Sequence, residues 1–469
     1  MNAPNGLVPI ALLAFFPLVL GAFLAWHPRR AVLVSLFAGW LFLPTTDGVY
    51  DVPVLHTKAM FVPAIVLVAS VALDGGRWLR FRPRLVDLPM ALVCLIPAAS
   101  SFANDFGAYD AGSALFETSM SWGAPYLLGR VYFSEARALL DLAMAGVAAA
   151  VAYVPFCLWE IRMSPQLHGI VYGYQPTAFV QAIRFGGYRP SVFLIHGLML
   201  GLFMSCSTLI AFWIWRTGAR RELWGVPMGW ICTVLAATTL LCKSTGAIVL
   251  LVIGLAALEI AHWLRSAVPL LILLALPPAY CAGRMAGWSG RPLVSASQEL
   301  VNVERASSLE FRIVNEDQLI SKALQHPWLG WGRWGGSRVY DESGKDISVT
   351  DGLWILLLGS TGIVGLVSFG VALAVPALLL VRLNRGGRWG DPRIAPAAAM
   401  AVVVALGTID DLFNAVPSPM FPAIAGGLLG LYLALREARR RQAVSRPLQL
   451  SPLVGSRRRA PRWVPIHGR

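Results

Sequence analysis

The chain is short of charge. Of its 469 residues only 14% are Asp, Glu, Lys or Arg, while 57% are hydrophobic. A soluble globular protein carries about a quarter charged residues, so an ordinary soluble domain is excluded. Cysteine is sparse too. The six (Cys94, Cys157, Cys206, Cys232, Cys242 and Cys281) lie far apart in or beside apolar runs. That spacing suggests neither a disulfide framework nor a metal site, and they read as small buried apolar residues. No Walker A loop, HExxH or GxSxG occurs, and no GxGxxG in a Rossmann context. The glycine-rich run GWGRWGG at 330–336 lacks the lysine-threonine ending of a nucleotide loop. No nucleotide-driven pump is indicated, and no cofactor or metal is expected. Alternating hydrophobicity is also missing. The apolar stretches are continuous, and a bilayer admits only helices or closed barrels, so helices are expected.

What charge there is has a pattern. The net charge is +14, which first suggests nucleic acid. The basic residues, however, concentrate in short loops between apolar runs, above all Arg77, Arg80, Arg82 and Arg84, and in the tail from Arg436, with ten arginines and one acid. That is the positive-inside distribution of a membrane protein, so no nucleic acid partner is expected. Many apolar runs approach the length that spans a bilayer. Hydropathy and loop charge predict an all-α, polytopic integral membrane protein of about 12–13 transmembrane helices. Residues 1–435 form the membrane domain and 436–469 a basic cytoplasmic tail, disordered and drawn to anionic lipid. The stretch 104–137 is only moderately apolar, and loop bookkeeping favours a crossing there.

The longest segment without a membrane-like run is 283–350, a large loop late in the chain. It is expected on the outer face, together with Arg189, Lys243 and Asp351. Pro190 is expected to start a helix, placing His196 about two helical turns inside from Arg189. Lys243 opens a tight turn, Lys-Ser-Thr-Gly. A helix over 298–324 would put Arg305 and Arg312 on one face. Such a basic set could cradle a diphosphate, because guanidinium makes bidentate, charge-assisted bonds to phosphate. The plainer reading of each is snorkelling at the interface. Asp351 opens a long apolar helix; it is either an N-cap or a carboxylate placed to take a proton from a sugar hydroxyl. His326 packs against the Pro327 turn or joins the site. Asp410 and Asp411, at the outer end of a span, orient an arginine or mark the cavity rim. The aromatic-glycine run with Trp331 suits carbohydrate, offering flat faces and tight turns.

Three patches resemble the O-antigen ligase and O-antigen polymerase superfamily, specifically its exopolysaccharide-polymerase-like members. ALQHPWLGWG at 323–332 looks like that family's P-x-x-G-x-G loop segment. DGLWILLLGSTGIVG at 351–365 looks like its polar residue, apolar helix and G-x-x-G. RFGGYRPSVFLIHG at 184–197 and KSTGAIV at 243–249 look like the upstream segments that supply basic residues. The ligases usually carry His-Asn where this chain has Asp351 and Gly352, which favours a polymerase-like member. Ser244, Thr245 and Gly246 stand where many members have a serine-arginine-glycine turn.

The resemblance implies a GT-C-like fold in the bacterial inner membrane with a periplasmic active-site loop. It implies a metal-independent glycosyltransferase that polymerises undecaprenyl-diphosphate-linked repeat units, alone or with other polysaccharide assembly proteins. Arg189, Lys243, Arg305, His326 and Trp331 would bind the donor, with Asp351 and Arg312 catalytic. Ligation of finished glycan to an acceptor, or a glycolipid transporter or flippase, are the competing expectations.

Overall fold

The computed structural model describes residues 3–45, 57–300, 303–384 and 386–445. Helix accounts for 73% of the chain and strand for 2%. In chain order the first helices are α1 (Leu7–Ala25), α2 (Pro28–Phe42), α3 (Lys58–Leu73), α4 (Gly75–Arg80) and α5 (Leu88–Ala103). Then come α6 (Gly107–Thr118), α7 (Ala124–Tyr132), α8 (Ala136–Met163) and α9 (Leu167–Tyr172). A hairpin, β1 (Ile183–Arg184) and β2 (Gly187–Tyr188), precedes α10 (Gly197–Thr217). A second, β3 (Glu222–Leu223) and β4 (Val226–Pro227), leads into α11 (Met228–Leu241). The rest is α12 (Thr245–Trp263), α13 (Val268–Met285), α14 (Arg291–Leu300), α15 (Val303–Ala323), α16 (Leu353–Leu383), α17 (Ala395–Asp410) and α18 (Met420–Ser445).

Among the described residues, seven helices are long and apolar enough to cross a membrane, and α3, α11 and α17 are shorter apolar helices. The fold is therefore all-helical and compatible with a polytopic membrane protein. Large apolar side chains on α1, such as Leu13 and Leu24, are exposed, as a lipid-facing helix requires. In such a setting apolar burial does not drive helices together, and close approach of small residues does. Gly129 of α7 against Ala423, Gly426 and Gly427 of α18 form such a seam.

The stretch 104–137 runs the length of α5. It leaves beside Asn104, passes through α6, a π-turn at Ser119–Gly123 and α7, and ends with Arg130 paired to Asp87 at the other end of α5, Nε to Oδ1 2.8 Å. This gives the molecule two ends. One bears Asn104 and Asp351; the other bears Asp87, Arg130 and the arginines after α4.

One expected helix start is overturned. Pro190 does not begin a helix; α10 starts at Gly197, and His196 is its N-cap, its Nδ1 accepting from the Leu198 N–H at 3.0 Å. The reason lies thirty residues upstream. Glu160 of α8 accepts the Ser191 and Val192 N–H groups at 2.9 and 2.7 Å and holds them in a turn in which Val192 takes a left-handed φ of 55°, outside the helical region. His196 is thus not two helical turns from Arg189 but folded back beside it. Of the expected helix over 298–324, α15 covers Val303–Ala323 and carries both Arg305 and Arg312, while residues 301 and 302 lie outside the described residues.

Helix α16 is 31 residues long but broken at Gly362, whose φ of 66° and ψ of −168° lie outside the helical region. Beyond the break roughly twenty residues remain, about 30 Å of helix, one bilayer core thick. The break is closed by the loop after α15. Ile363 N–H donates to Pro327 O at 2.7 Å and Val364 N–H to Trp328 O at 3.3 Å. In return Trp331 N–H donates to Gly359 O at 2.8 Å and Gly332 N–H to Ser360 O at 3.1 Å. Ser100 Oγ lies 2.8 Å from Ser360 O and 2.5 Å from Leu329 O, and Asn104 Nδ2 donates to Gly330 O at 3.0 Å. The Ile363 and Val364 N–H groups and the Gly359 and Ser360 carbonyls at the break thereby have partners, as irregular backbone at membrane depth requires. Two of the patches singled out in the sequence, 323–332 and 351–365, are joined here.

Candidate functional site

The site is built on one face of α15. Arg312, Asn315 and Glu316 lie three and four residues apart and point to one side. Arg312 Nε donates to Asp351 Oδ2 at 3.1 Å, Asn315 Oδ1 accepts the Val349 N–H at 2.9 Å, and Glu316 Oε1 accepts the Trp354 indole N–H at 3.2 Å. These contacts fix the chain as it enters α16. Asp351 is not the first residue of that helix and does not cap it. The cap is Gly352, and the first free N–H groups, of Leu353 and Trp354, donate to the Asp411 carbonyl at 2.8 and 3.3 Å. With the helix end satisfied by backbone, the Asp351 carboxylate is left for Arg312, and both remain partly open, at 38% and 26% exposure.

Glu316 is anchored from below. Tyr280 donates to its Oε2 at 2.8 Å and Arg284 Nε to the same oxygen at 3.1 Å. The Arg284 guanidinium also reaches Asp317 at 2.9 Å. Burial raises the Glu316 carboxyl above its ordinary range, against the pull of the three donors around it. The role of this group is to hold α15 on α13 and α16.

Across from Arg312 the β1–β2 hairpin brings further cations. Arg184 lies on β1, Arg189 follows β2, and Lys243, in a left-handed turn residue at φ 53°, donates its Nζ to Phe185 O of the same hairpin at 3.2 Å. Arg189 Nη2 donates to Gln181 O at 2.8 Å. The Arg184 Nε is buried and makes no hydrogen bond. His196 sits among them. Burial first, then the guanidiniums of Arg189, Arg184 and Arg312, lower its pKa to about 4, so it is neutral at pH 7. Since its Nδ1 accepts the cap bond, Nε2 carries the proton and donates to Gln181 Oε1 at 3.0 Å. The 3.4 Å approach of Arg189 Nη2 to Nε2 is then between two donors and is not a hydrogen bond.

The structure therefore brings together Arg189, Lys243, Arg312 and Asp351, with Arg184, Gln181 and His196 between them and Asp410 within electrostatic reach of Arg312. The Arg305 side chain lies outside the described residues. His326 and Trp331 are not in this group. They stack on each other, ring centroids 3.8 Å apart, with Lys322 Nζ 3.7 Å over the indole. That cluster sits at the Gly362 break, and Lys322 is about 15 Å along α15 from Arg312.

Sequence reasoning missed a cavity of about 290 Å³ whose lining includes Trp40, Lys58, Glu117, Ser121, Trp122 and Leu353. Leu353 is two residues from Asp351, and Ile195, beside His196, also lines it, so the cavity adjoins the cationic group. Lys58 donates to Phe193 O at 2.8 Å, and Glu117 is paired with Arg333 of the loop that closes the helix break. An acid inside a weakly apolar crossing was the available signal, because ionisable groups at membrane depth mark functional sites. Two indole faces with a carboxylate, an amine and hydroxyls are the groups that bind sugars. Among the described residues no three His, Cys, Asp or Glu side chains are grouped to hold a metal. No family model and no curated protein matches the chain, so a functional reading rests on this geometry.

Proposed function

We propose that the chain is a membrane-embedded glycosyltransferase that polymerises undecaprenyl-diphosphate-linked oligosaccharide repeat units. The observation that carries this is the convergence of Arg184, Arg189 and Arg312 about His196, with Lys243 bonded to the same hairpin and the partly open Asp351 carboxylate paired to Arg312. Four cations against one carboxylate leave a surplus of positive charge that suits the two negative charges of a diphosphate diester. The resemblance of 323–332 and 351–365 to the polymerase-like members of the O-antigen superfamily supports the same reading. In it the fold is GT-C-like, the end bearing Asp351 faces the periplasm, and the arginine-rich end faces the cytoplasm of a bacterial inner membrane.

The chemistry follows from the placement. A hydroxyl of the acceptor sugar attacks the anomeric carbon of the donor, and its oxygen forms the new glycosidic bond. The bond from that carbon to the diphosphate breaks, and its electron pair leaves with the phosphate oxygen. Arg189, Lys243 and Arg312 stabilise that departing charge. Asp351 takes the hydroxyl proton, its carboxylate oriented by Arg312. The Gln181 carbonyl holds Arg189 in place, and the Gln181 side chain holds neutral His196. The adjoining Trp40 and Trp122 cavity receives sugar. The activity needs no activated nucleotide, since the donor diphosphate supplies the driving force.

The test is incubation of purified protein with a synthetic undecaprenyl-diphosphate repeat unit. A ladder of products is expected; a single addition to an acceptor would mean ligation instead, and no product with intact, folded protein would defeat the proposal. Asp351→Ala with full extension activity would remove the base role.

A further inference from the structure

We infer that the opposite end of the molecule holds a built binding site for the headgroup of an anionic phospholipid. There a cavity of about 560 Å³ is lined by Arg29, Arg77, Arg80, Arg82, Arg84 and Arg130, which arrive from α2, α4, the segment after α4, and α7. This inference is independent of the reaction proposed above.

Positive charge at this end of a membrane protein is ordinary; a concave site with unmet donors is not. Three of the arginines are held by carboxylates: Arg29 by Glu135 at 2.7 Å, Arg77 by Asp74 at 3.1 Å and Arg130 by Asp87 at 2.8 Å. These pairs shape the cavity. Among the described residues Arg80, Arg82 and Arg84 have no carboxylate partner; Arg80 Nε donates only to Gly76 O, at 3.0 Å. Arg29 Nε is buried with no acceptor. The lining also carries Asp74 and Glu135, taken up by these pairs, and Glu437, paired with Arg441; the guanidiniums of Arg80, Arg82 and Arg84 are thus left without a carboxylate, and a phosphodiester would supply the oxygen acceptors.

The rim decides the source of that phosphate. Leu79 is 83% and Leu85 90% exposed; Leu79 stands between Arg77 and Arg80, and Leu85 directly follows Arg84. Trp78 of α4 is tied back by its indole N–H to Ser70 Oγ at 3.2 Å. Short helix α4 thus lays Leu79 outward at the edge where basic residues meet apolar ones, the arrangement of an interfacial helix. A lipid phosphate at that depth reaches the arginines while its acyl chains run beside Leu79 and Leu85. A soluble anion has no use for that rim.

The full-length protein in neutral detergent is titrated with dioleoylphosphatidylglycerol or dioleoylphosphatidylcholine, and bound lipid is counted by native mass spectrometry. Each arginine near a lipid surface contributes roughly fivefold in affinity, so the glycerol lipid binds about a hundredfold more tightly than the choline lipid. Arg82→Gln with Arg84→Gln lowers that preference about 25-fold; these side chains are exposed, so folding is unaffected. Arg291→Gln, at the other end, leaves it unchanged. The basic tail is common to all three proteins and does not contribute to the difference. The inference fails if the two lipids bind alike, or if the double variant melts as the native protein does yet keeps its preference. It also fails if millimolar inorganic phosphate displaces the glycerol lipid completely.

Discussion

Replacing Gly362 by alanine tests the account of the broken helix. At φ 66° and ψ −168° the residue occupies a region open essentially to glycine alone, and a side chain there costs about 1–3 kcal/mol in backbone strain. A Cβ at that position would also run into the Trp328 carbonyl and the Leu329 nitrogen. The loop must then back away, and at least one or two of the four backbone bonds across the break are lost, each contributing about 0.5–1.5 kcal/mol net. Together these give a destabilisation of about 2–5 kcal/mol. The control is on the same helix. A Cβ on Gly370 would meet nothing within 4 Å, so Gly370→Ala is expected to be neutral or stabilising by up to about 1 kcal/mol. Unfolding of the purified full chain is followed by far-UV circular dichroism in mixed micelles of neutral detergent and dodecyl sulfate. A second readout is trypsin cleavage after Arg333, which rises in Gly362→Ala as the loop undocks. If Gly362→Ala unfolds with Gly370→Ala and Arg333 stays protected, the break is not held by this suture and the reasoning is wrong. Gly330, at φ 68° and with the Gly359 carbonyl 2.6 Å from its would-be Cβ, is expected to behave like Gly362.

In the extension assay Arg312→Ala loses far more activity than Arg291→Ala, whose side chain is exposed on α14; equal losses would separate Arg312 from the site. Arg284→Met leaves Glu316 buried without its cation and is expected to destabilise by about 3–5 kcal/mol, much of it recovered in Arg284→Met with Glu316→Gln; additive losses in that cycle would disprove the coupling. Burial lowers the pKa of His168 and of His196 from 6.5 to about 4. Between those values the unfolded chain binds more protons, so stability falls as pH drops from about 6.5 to 4, by at most about 3 kcal/mol for each ring. Glu316, with its carboxyl raised, acts in the opposite sense, since its contribution is lost as pH rises. The His contribution is therefore read as the difference between native protein and the His168→Gln and His196→Gln variants at pH 7 and 4.5. A pH profile unchanged by both substitutions would refute it.

Much of the helical order was legible because a bilayer span has to be long, apolar and self-bonded, which composition records directly. Places where the chain departs from that rule were less legible. Pro190 has every local property of a helix start, yet Glu160, thirty residues away, holds the N–H groups behind it in a turn with Val192 in the left-handed region. Asp351 has every local property of an N-cap, yet the Asp411 carbonyl fills that role and frees the carboxylate. The aromatic-glycine run looked like a carbohydrate surface, but two of its backbone N–H groups and its glycine conformations are committed to the break in α16.

The sequence by itself determined that the chain is all-helical with membrane-length apolar segments, because that property is additive along the chain. It also determined that Arg189, Lys243, Arg312 and Asp351 belong to one end, because loop charge orients a membrane chain. Tertiary structure alone decided which of them meet. Hydrogen bonds between residues tens to hundreds of positions apart depend on the packing of helices, and no local pattern encodes them. Those bonds place Asp351 on Arg312, set His196 among three guanidiniums, and move His326 and Trp331 to a different part of the molecule.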